Sequence, residues 1–173
     1  VVTNKKQLAK KLYLIRNHGL KNRNNVEIFG YNSRLDTIQA AVANYKMKNK
    51  LDNITNKRIK NATTLNKLLS KNKNVTTVKR LKHLKEVFHL YHINVKKRDL
   101  LQKYLIKNNI DAKVHYPIPI HLQKAAKYLK YKKGDFPIAE KMANTSLSLP
   151  VHEFIDERHV KYMVHCINKF YLK

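Results

Sequence analysis

The stretch Gly30-Tyr31-Asn32-Ser33-Arg34-Leu35-Asp36-Thr37-Ile38-Gln39-Ala40-Ala41 carries a polar loop into a helical pattern, and His115-Tyr116-Pro117-Ile118-Pro119-Ile120-His121 does the reverse, closing an extended segment with two prolines. In the first stretch, a Gly and an Asn just before a helix bring together a tight turn, a side-chain amide and backbone N–H groups at a positive helix end. Arg34 adds a full charge in the first turn. Such a site suits a phosphate. The same residues are equally readable as a plain cap, with Asn32 or Ser33 closing the helix and Arg34 meeting solvent or an Asp. In the second stretch Pro117 and Pro119 remove donors and fix φ, which stiffens the chain around His115, Tyr116 and His121. Those side chains could bond sugar hydroxyls or a diphosphate, or they could be a satisfied surface histidine and a core-edge tyrosine.

Outward from these stretches the periodicity sets the architecture. Asn4 and Gln7 are spaced as a capping box, Leu8, Leu12 and Ile15 recur at i, i+4, i+7, and Gly19 offers a C-cap, so a first helix is expected. Residues 20–33, with Asn at 22, 24, 25 and 32, read as an irregular loop. From Arg34 the pattern is helical again: Leu35, Ile38, Ala41, Val42 and Tyr45 share one face, and Ile59, Ala62, Leu65, Leu68 and Leu69 share another, with a break near Asn49 to Asp52. Val75–Lys79 and Val87–Val95 are strand candidates. A helix from about Arg98 to Lys107 would bury Leu100, Leu101, Tyr104 and Leu105. Ile110, Ala112 and Val114 then alternate with Asp111, Lys113 and His115 as in a half-buried strand. Helices at about 121–129 and 136–146, an extended Leu147-Ser148-Leu149-Pro150, and a final helix from Asp156 with Val160, Met163, Val164 and Ile167 inward complete the chain. These elements make an α/β fold in which residues 1–33 close one domain, 34–72 form a long helical connector and 73–173 form a small α/β domain.

Composition narrows the classes. With 173 residues and 43% hydrophobic content, the chain can build one core or a small domain with part of another. No apolar run approaches the roughly 20 residues needed to cross a bilayer, and Val-Val-Thr-Asn-Lys-Lys is neither a signal nor a transit sequence, so the cytoplasm is the expected compartment. The one cysteine, Cys166, lies on a helical apolar face and reads as a buried small side chain. The histidines show no ligand spacing with carboxylates or cysteine, so no metal site is expected. A net charge of +26 would suit nucleic acid, yet nearly all of it is lysine scattered over every element with Asn abundant beside it, whereas base readers favour Arg and interleaved aromatics. Tolerant surface charge is the preferred reading.

The Gly-x-Asn-x-Arg segment at 30–34 and the His-Tyr-Pro-x-Pro-x-His run at 115–121 together resemble the DegT/DnrJ/StrS family of pyridoxal-phosphate (PLP) nucleotide-sugar aminotransferases. The likeness runs from Val1 to Tyr171 and covers the second half of such an enzyme, the C-terminal part of a fold-type I PLP-dependent aminotransferase. It implies a homodimer with a shared active site, in which Asn32 approaches the cofactor phosphate held by the neighbouring subunit and Arg34 faces cofactor or substrate anions. It assigns nucleotide-sugar contacts to His115, Tyr116 and His121. Gln39 and Ala40-Ala41 fit the family as helix packing, and Arg16-Asn17-His18-Gly19 as helix termination. The family places the lysine that holds the cofactor covalently before the run matched by Val2-Thr3-Asn4. No lysine here inherits that role, no residue of the chain is expected to be catalytic, and the isolated chain is expected to be inactive. The implied parent reaction transfers an amino group, with glutamate as donor, to a nucleotide-linked keto-sugar in polysaccharide or amino-sugar biosynthesis. The alternatives are a PLP-dependent sugar dehydratase of the same family, in which a His replaces the lysine, and a basic nucleic-acid-binding or regulatory protein.

Overall fold

A computed structural model describes residues 3–33, 36–81 and 83–172. In chain order the elements are α1 (Lys6–Ile15), β1 (Leu20–Asn22), β2 (Asn25–Val26), α2 (Thr37–Asn49), α3 (Leu51–Leu69), β3 (Val75–Thr77), β4 (Tyr91–Val95), α4 (Arg98–Lys107), α5 (Pro137–Thr145), β5 (Ser146–Leu149) and α6 (Glu157–Tyr171). The chain forms two compact units, one of Val1–Asn44 with Tyr116–Ala143 and the other of Tyr45–His115 with Asn144–Lys173. Residues 116–143, grouped by their sequence with the small domain, cluster with the N-terminal stretch.

The second unit holds the hydrophobic core of the described residues. Its antiparallel sheet runs β3-β4-β5, with Val75 opposite Val95 and Tyr91 opposite Leu149. Alternation along β4 puts Tyr91, Ile93 and Val95 inward, where they meet Leu65 and Leu69 of α3, Leu101 and Leu105 of α4, and the α6 stripe Val160, Met163, Val164 and Ile167. Cys166 joins that stripe at 3% exposure. Asp156 caps α6 by accepting from His159 N at 3.0 Å, and the His159 side chain returns to the Asp156 backbone. The helix break expected near residues 49–52 falls between Asn49 and Leu51.

Several expectations give way. Strand β4 begins only at Tyr91, because Phe88 takes φ +51° and turns the chain. On α4 the inward set is Arg98, Leu101 and Leu105 while Leu100 is 57% exposed: burial follows i, i+3, i+7 and leaves Leu100 a quarter-turn away. Residues 110–115 bury Ile110 and Ala112 as their alternation requires, yet pair with β5 only through the Lys113–Ser148 bridge. A helix over 121–129 resolves into two 3₁₀ segments, Ile120–Leu122 and Lys124–Leu129.

In the first unit, α1 starts at Lys6 without a side-chain cap, and it is Thr3 Oγ1, not Asn4 with Gln7, that accepts from Lys5 N at 3.1 Å. Residues 20–33 contain the β1–β2 hairpin, closed by Asn22 Oδ1 accepting from the amides of Asn24 and Asn25 at 3.1 Å each. Gln123, 8% exposed, fastens that hairpin by accepting from Val26 N at 3.1 Å and donating to Asn24 O at 3.0 Å. The expected apolar face of α2 is solvent-facing: Ile38 is 80% exposed, and Val42 and Tyr45 are exposed too. Leu35 lies outside the described residues.

Candidate functional site

Asn32 is an exposed side chain on a loop whose backbone is tied down. It forms an antiparallel bridge with Asn17, Tyr31 N donates to Ile15 O at 2.6 Å, His18 N to Tyr31 O at 3.0 Å, and Ser33 N to Arg16 O at 3.0 Å. Two glycines let these strands approach. A Cβ on Gly30 would lie 2.5 Å from both Gly19 N and Ile15 O, and one on Gly19, at φ +72°, would fall 1.6 Å from Ile28 O. The effect is a backbone fixed by the amides of His18, Tyr31 and Ser33, with an exposed side-chain amide at Asn32. A depression of about 730 Å³ lined by Arg16, Tyr31 and Ser33 adjoins it. Arg34 lies outside the described residues.

His121 is withdrawn from solvent, at 7% side-chain exposure, with Nε2 3.1 Å from Glu140 Oε1. The same carboxylate oxygen accepts from Gly134 N at 2.7 Å. That amide first, and His121 after it, hold the Glu140 carboxyl below its ordinary range against the opposing effect of burial. Phe136 packs on the imidazole at 4.8 Å and Tyr131 packs edge-on against Phe136. Tyr116, in the same unit, is 61% exposed.

His115 belongs to the other unit. There it lies in a cleft of about 240 Å³ whose wall includes Arg58, His89, Lys113, Ser148 and His152. Its Nδ1 is 2.9 Å from Ser148 Oγ, which is in turn 3.0 Å from His92 Nδ1. Arg58 donates to Phe88 O at 3.3 Å and pairs with Glu153 at 3.2 Å; Lys113 pairs with Asp111 at 2.6 Å, so each cleft cation carries its own counter-ion. Burial pushes the His92 imidazole below its usual value. Ser148, His92, Glu140 and Gln123 escaped the sequence reading. A polar residue in mid-strand at His92 was the one local sign; the others act through partners far along the chain. Among the described residues, no group of three or more His, Cys, Asp or Glu side chains could hold a metal ion.

The sequence profile of the DegT/DnrJ/EryC1/StrS aminotransferase family matches residues 1–168. A pleiotropic regulatory protein of Geobacillus stearothermophilus is 41% identical over 173 residues, spanning 99% of this chain and 46% of that protein. The dTDP-3-amino-3,6-dideoxy-alpha-D-galactopyranose transaminase of Aneurinibacillus thermoaerophilus is 33% identical over 98% of this chain and 46% of its own length. Among solved structures, S. venezuelae DesV in complex with a ketimine intermediate superposes with a TM-score of 0.74 at 29% identity, covering 98% of this chain and 45% of that one. A family aminotransferase from Brucella abortus gives 0.71 at 30% identity, over 99% and 45%. The chain thus spans about half the length of the relatives it matches, and with all but its last few residues inside the family profile, it belongs to the DegT/DnrJ/EryC1/StrS aminotransferase family.

Proposed function

We propose that the chain is the C-terminal portion of a PLP-dependent aminotransferase that transfers an amino group from an amino-acid donor such as glutamate to a nucleotide-linked keto-sugar. In this reading residues 1–33 close its large cofactor-binding domain, 34–72 connect, and 73–173 supply the small domain apart from residues 116–143, which cluster with the N-terminal stretch. The observation that carries the reading is Asn32: an exposed amide on a backbone held by three internal hydrogen bonds, within a chain of this family. An amide on a rigid loop fits one donor position for a phosphate, and Arg34 beside it in sequence supplies positive charge. These residues fit the phosphate end of the cofactor, and no lysine of this chain is assigned to its aldehyde. PLP, when bound, supplies the electron sink for moving an amino group.

What the chain itself does is bind and orient. Asn32 donates to the phosphate across a homodimer interface, with Arg34 facing the same shared site. His115 and Tyr116 offer an imidazole and a phenol to sugar hydroxyls or the diphosphate. His121, whose ring is engaged by Glu140 and covered by Phe136, contributes by holding the 116–140 segment in shape, which keeps Tyr116 placed. The exposed apolar side chains of the first unit, Tyr13, Phe29, Ile38 and Ile138 among them, suit a surface covered by the rest of a larger domain or by a second subunit.

The test is complementation within the full-length enzyme. Asn32→Ala should weaken PLP retention by about 1.5–3 kcal/mol, the value of one hydrogen bond to a charged group, and leave the fold unchanged. Mixing that variant, at PLP too dilute to fill its weakened sites, with one lacking the cofactor lysine should restore part of the activity, because a mixed dimer puts both lesions in one site and leaves the other whole. No recovery on mixing would remove Asn32 from a shared site.

A further inference from the structure

Ser148 stands between two histidines, and the arithmetic of its one hydroxyl proton constrains both. Its Oγ is 2.9 Å from His115 Nδ1 and 3.0 Å from His92 Nδ1, and the two rings cross at 81°. The backbone fixes all three. His92 and Ser148 are register partners in the β4–β5 ladder, Ser148 is 3% exposed, and Lys113, two residues before His115, exchanges hydrogen bonds with Ser148 at 3.0 and 2.7 Å. Two N···O contacts need two hydrogens. The hydroxyl supplies one, so an imidazole must supply the other, and two neutral rings satisfy this only in opposite tautomers.

The direction of the chain follows from the charge each ring can carry. His92 is part-buried and its imidazole is pushed toward the neutral form by burial first, with Glu86 acting upward and Arg80 downward. A neutral His92 is the natural terminal acceptor. The order His115 Nδ1–H to Ser148 Oγ–H to His92 Nδ1 then holds with His115 either neutral or cationic. The opposite order would have to turn over whenever His115 took a proton.

We propose that Ser148 and His92 are positioning residues that hold neutral His115 as its Nδ1–H tautomer, making Nε2 the basic, hydrogen-bond-accepting nitrogen of a ring on the wall of the Arg58–Lys113–His152 cleft. In the neutral ring such a nitrogen recognises a donor, a sugar hydroxyl or an amine, whereas the cationic ring would present Nε2–H to a diphosphate oxygen. That use rests on the substrate-contact reading of His115; the tautomer does not.

Long-range ¹H–¹⁵N correlation spectra of the labelled chain, at a pH where both rings are neutral, test it with no cofactor or substrate present. The expected pattern is a protonated Nδ1 and bare Nε2 on His115, and the reverse on His92. Ser148→Ala should release His115 into a mixture of tautomers. His92→Phe should do more: with its acceptor gone, the Ser148 hydroxyl turns to His115 Nδ1 and switches that ring to Nε2–H. Unchanged amide shifts along β4 and β5 certify the fold of each variant. A wild-type His115 that is already Nε2–H, or one whose tautomer both substitutions leave unmoved, overturns the proposal. Failure of the aminotransferase reading would leave the tautomer result standing, and failure of the tautomer would leave that reading standing.

Discussion

At Asp156 a single half-buried carboxylate makes stability depend on pH. The His159 amide first, then the Arg158 guanidinium, favour its ionised form in the fold and bring its pKa down to about 2 from 3.8. A depressed folded pKa means stabilisation that is complete above about 3.8 and lost as pH falls through about 2. Asp156→Ala should therefore unfold at lower urea than the parent at neutral pH, with the gap narrowing between pH 4 and 2; a gap independent of pH would show the cap to be indifferent to charge. Glu140 illustrates the other use of a carboxylate. There the Gly134 amide and His121 Nε2 share one oxygen, so the carboxylate ties the chain at Gly134 to the imidazole of His121.

Helix α6 shows how one element draws its energy from one face. Ile167 is fully buried among α3, α4 and the sheet, so Ile167→Ala should cost about 2–5 kcal/mol of transfer and cavity energy. Leu100 on α4 looks equally apolar in sequence but is 57% exposed, and Leu100→Ala should stay within about 0.5 kcal/mol. Urea denaturation of both variants checks the contrast, and comparable losses would mean that α4 is rotated from its described face. Helix α2 makes the same point in reverse: thirteen residues with Ile38, Val42, Tyr45 and Met47 exposed have no buried side chain in this chain alone.

Across the described residues the main hydrophobic cluster lies in one of the two units, while basic side chains occur in both. No helix among the described residues is long and apolar enough to cross a membrane. A net charge of +26, carried mostly by lysines spread over helices α1–α6 and the loops, attracts polyanions without reading them. Fluorescence anisotropy with DNA or RNA should find weak binding, indifferent to sequence and lost steeply between low and physiological salt. Nanomolar, sequence-selective binding at physiological salt would favour a nucleic-acid function over the enzymatic one.

What the amino-acid order determined by itself is whatever depends on near neighbours: the α6 stripe and its Asp156 start, the span of α4, and the break between α2 and α3, all periodicities or caps written within a few residues. The family segments at 30–34 and 115–121 were legible for the same reason, being contiguous. Only tertiary structure decided which apolar faces find a partner, since Ile38 and Ile167 are chemically alike and differ in what lies across from them. It also decided the company of the site histidines. Ser148 lies 33 residues from His115 and 56 from His92, and Glu140 lies 19 from His121, separations that strand register and loop closure bridge in space but that no local pattern encodes.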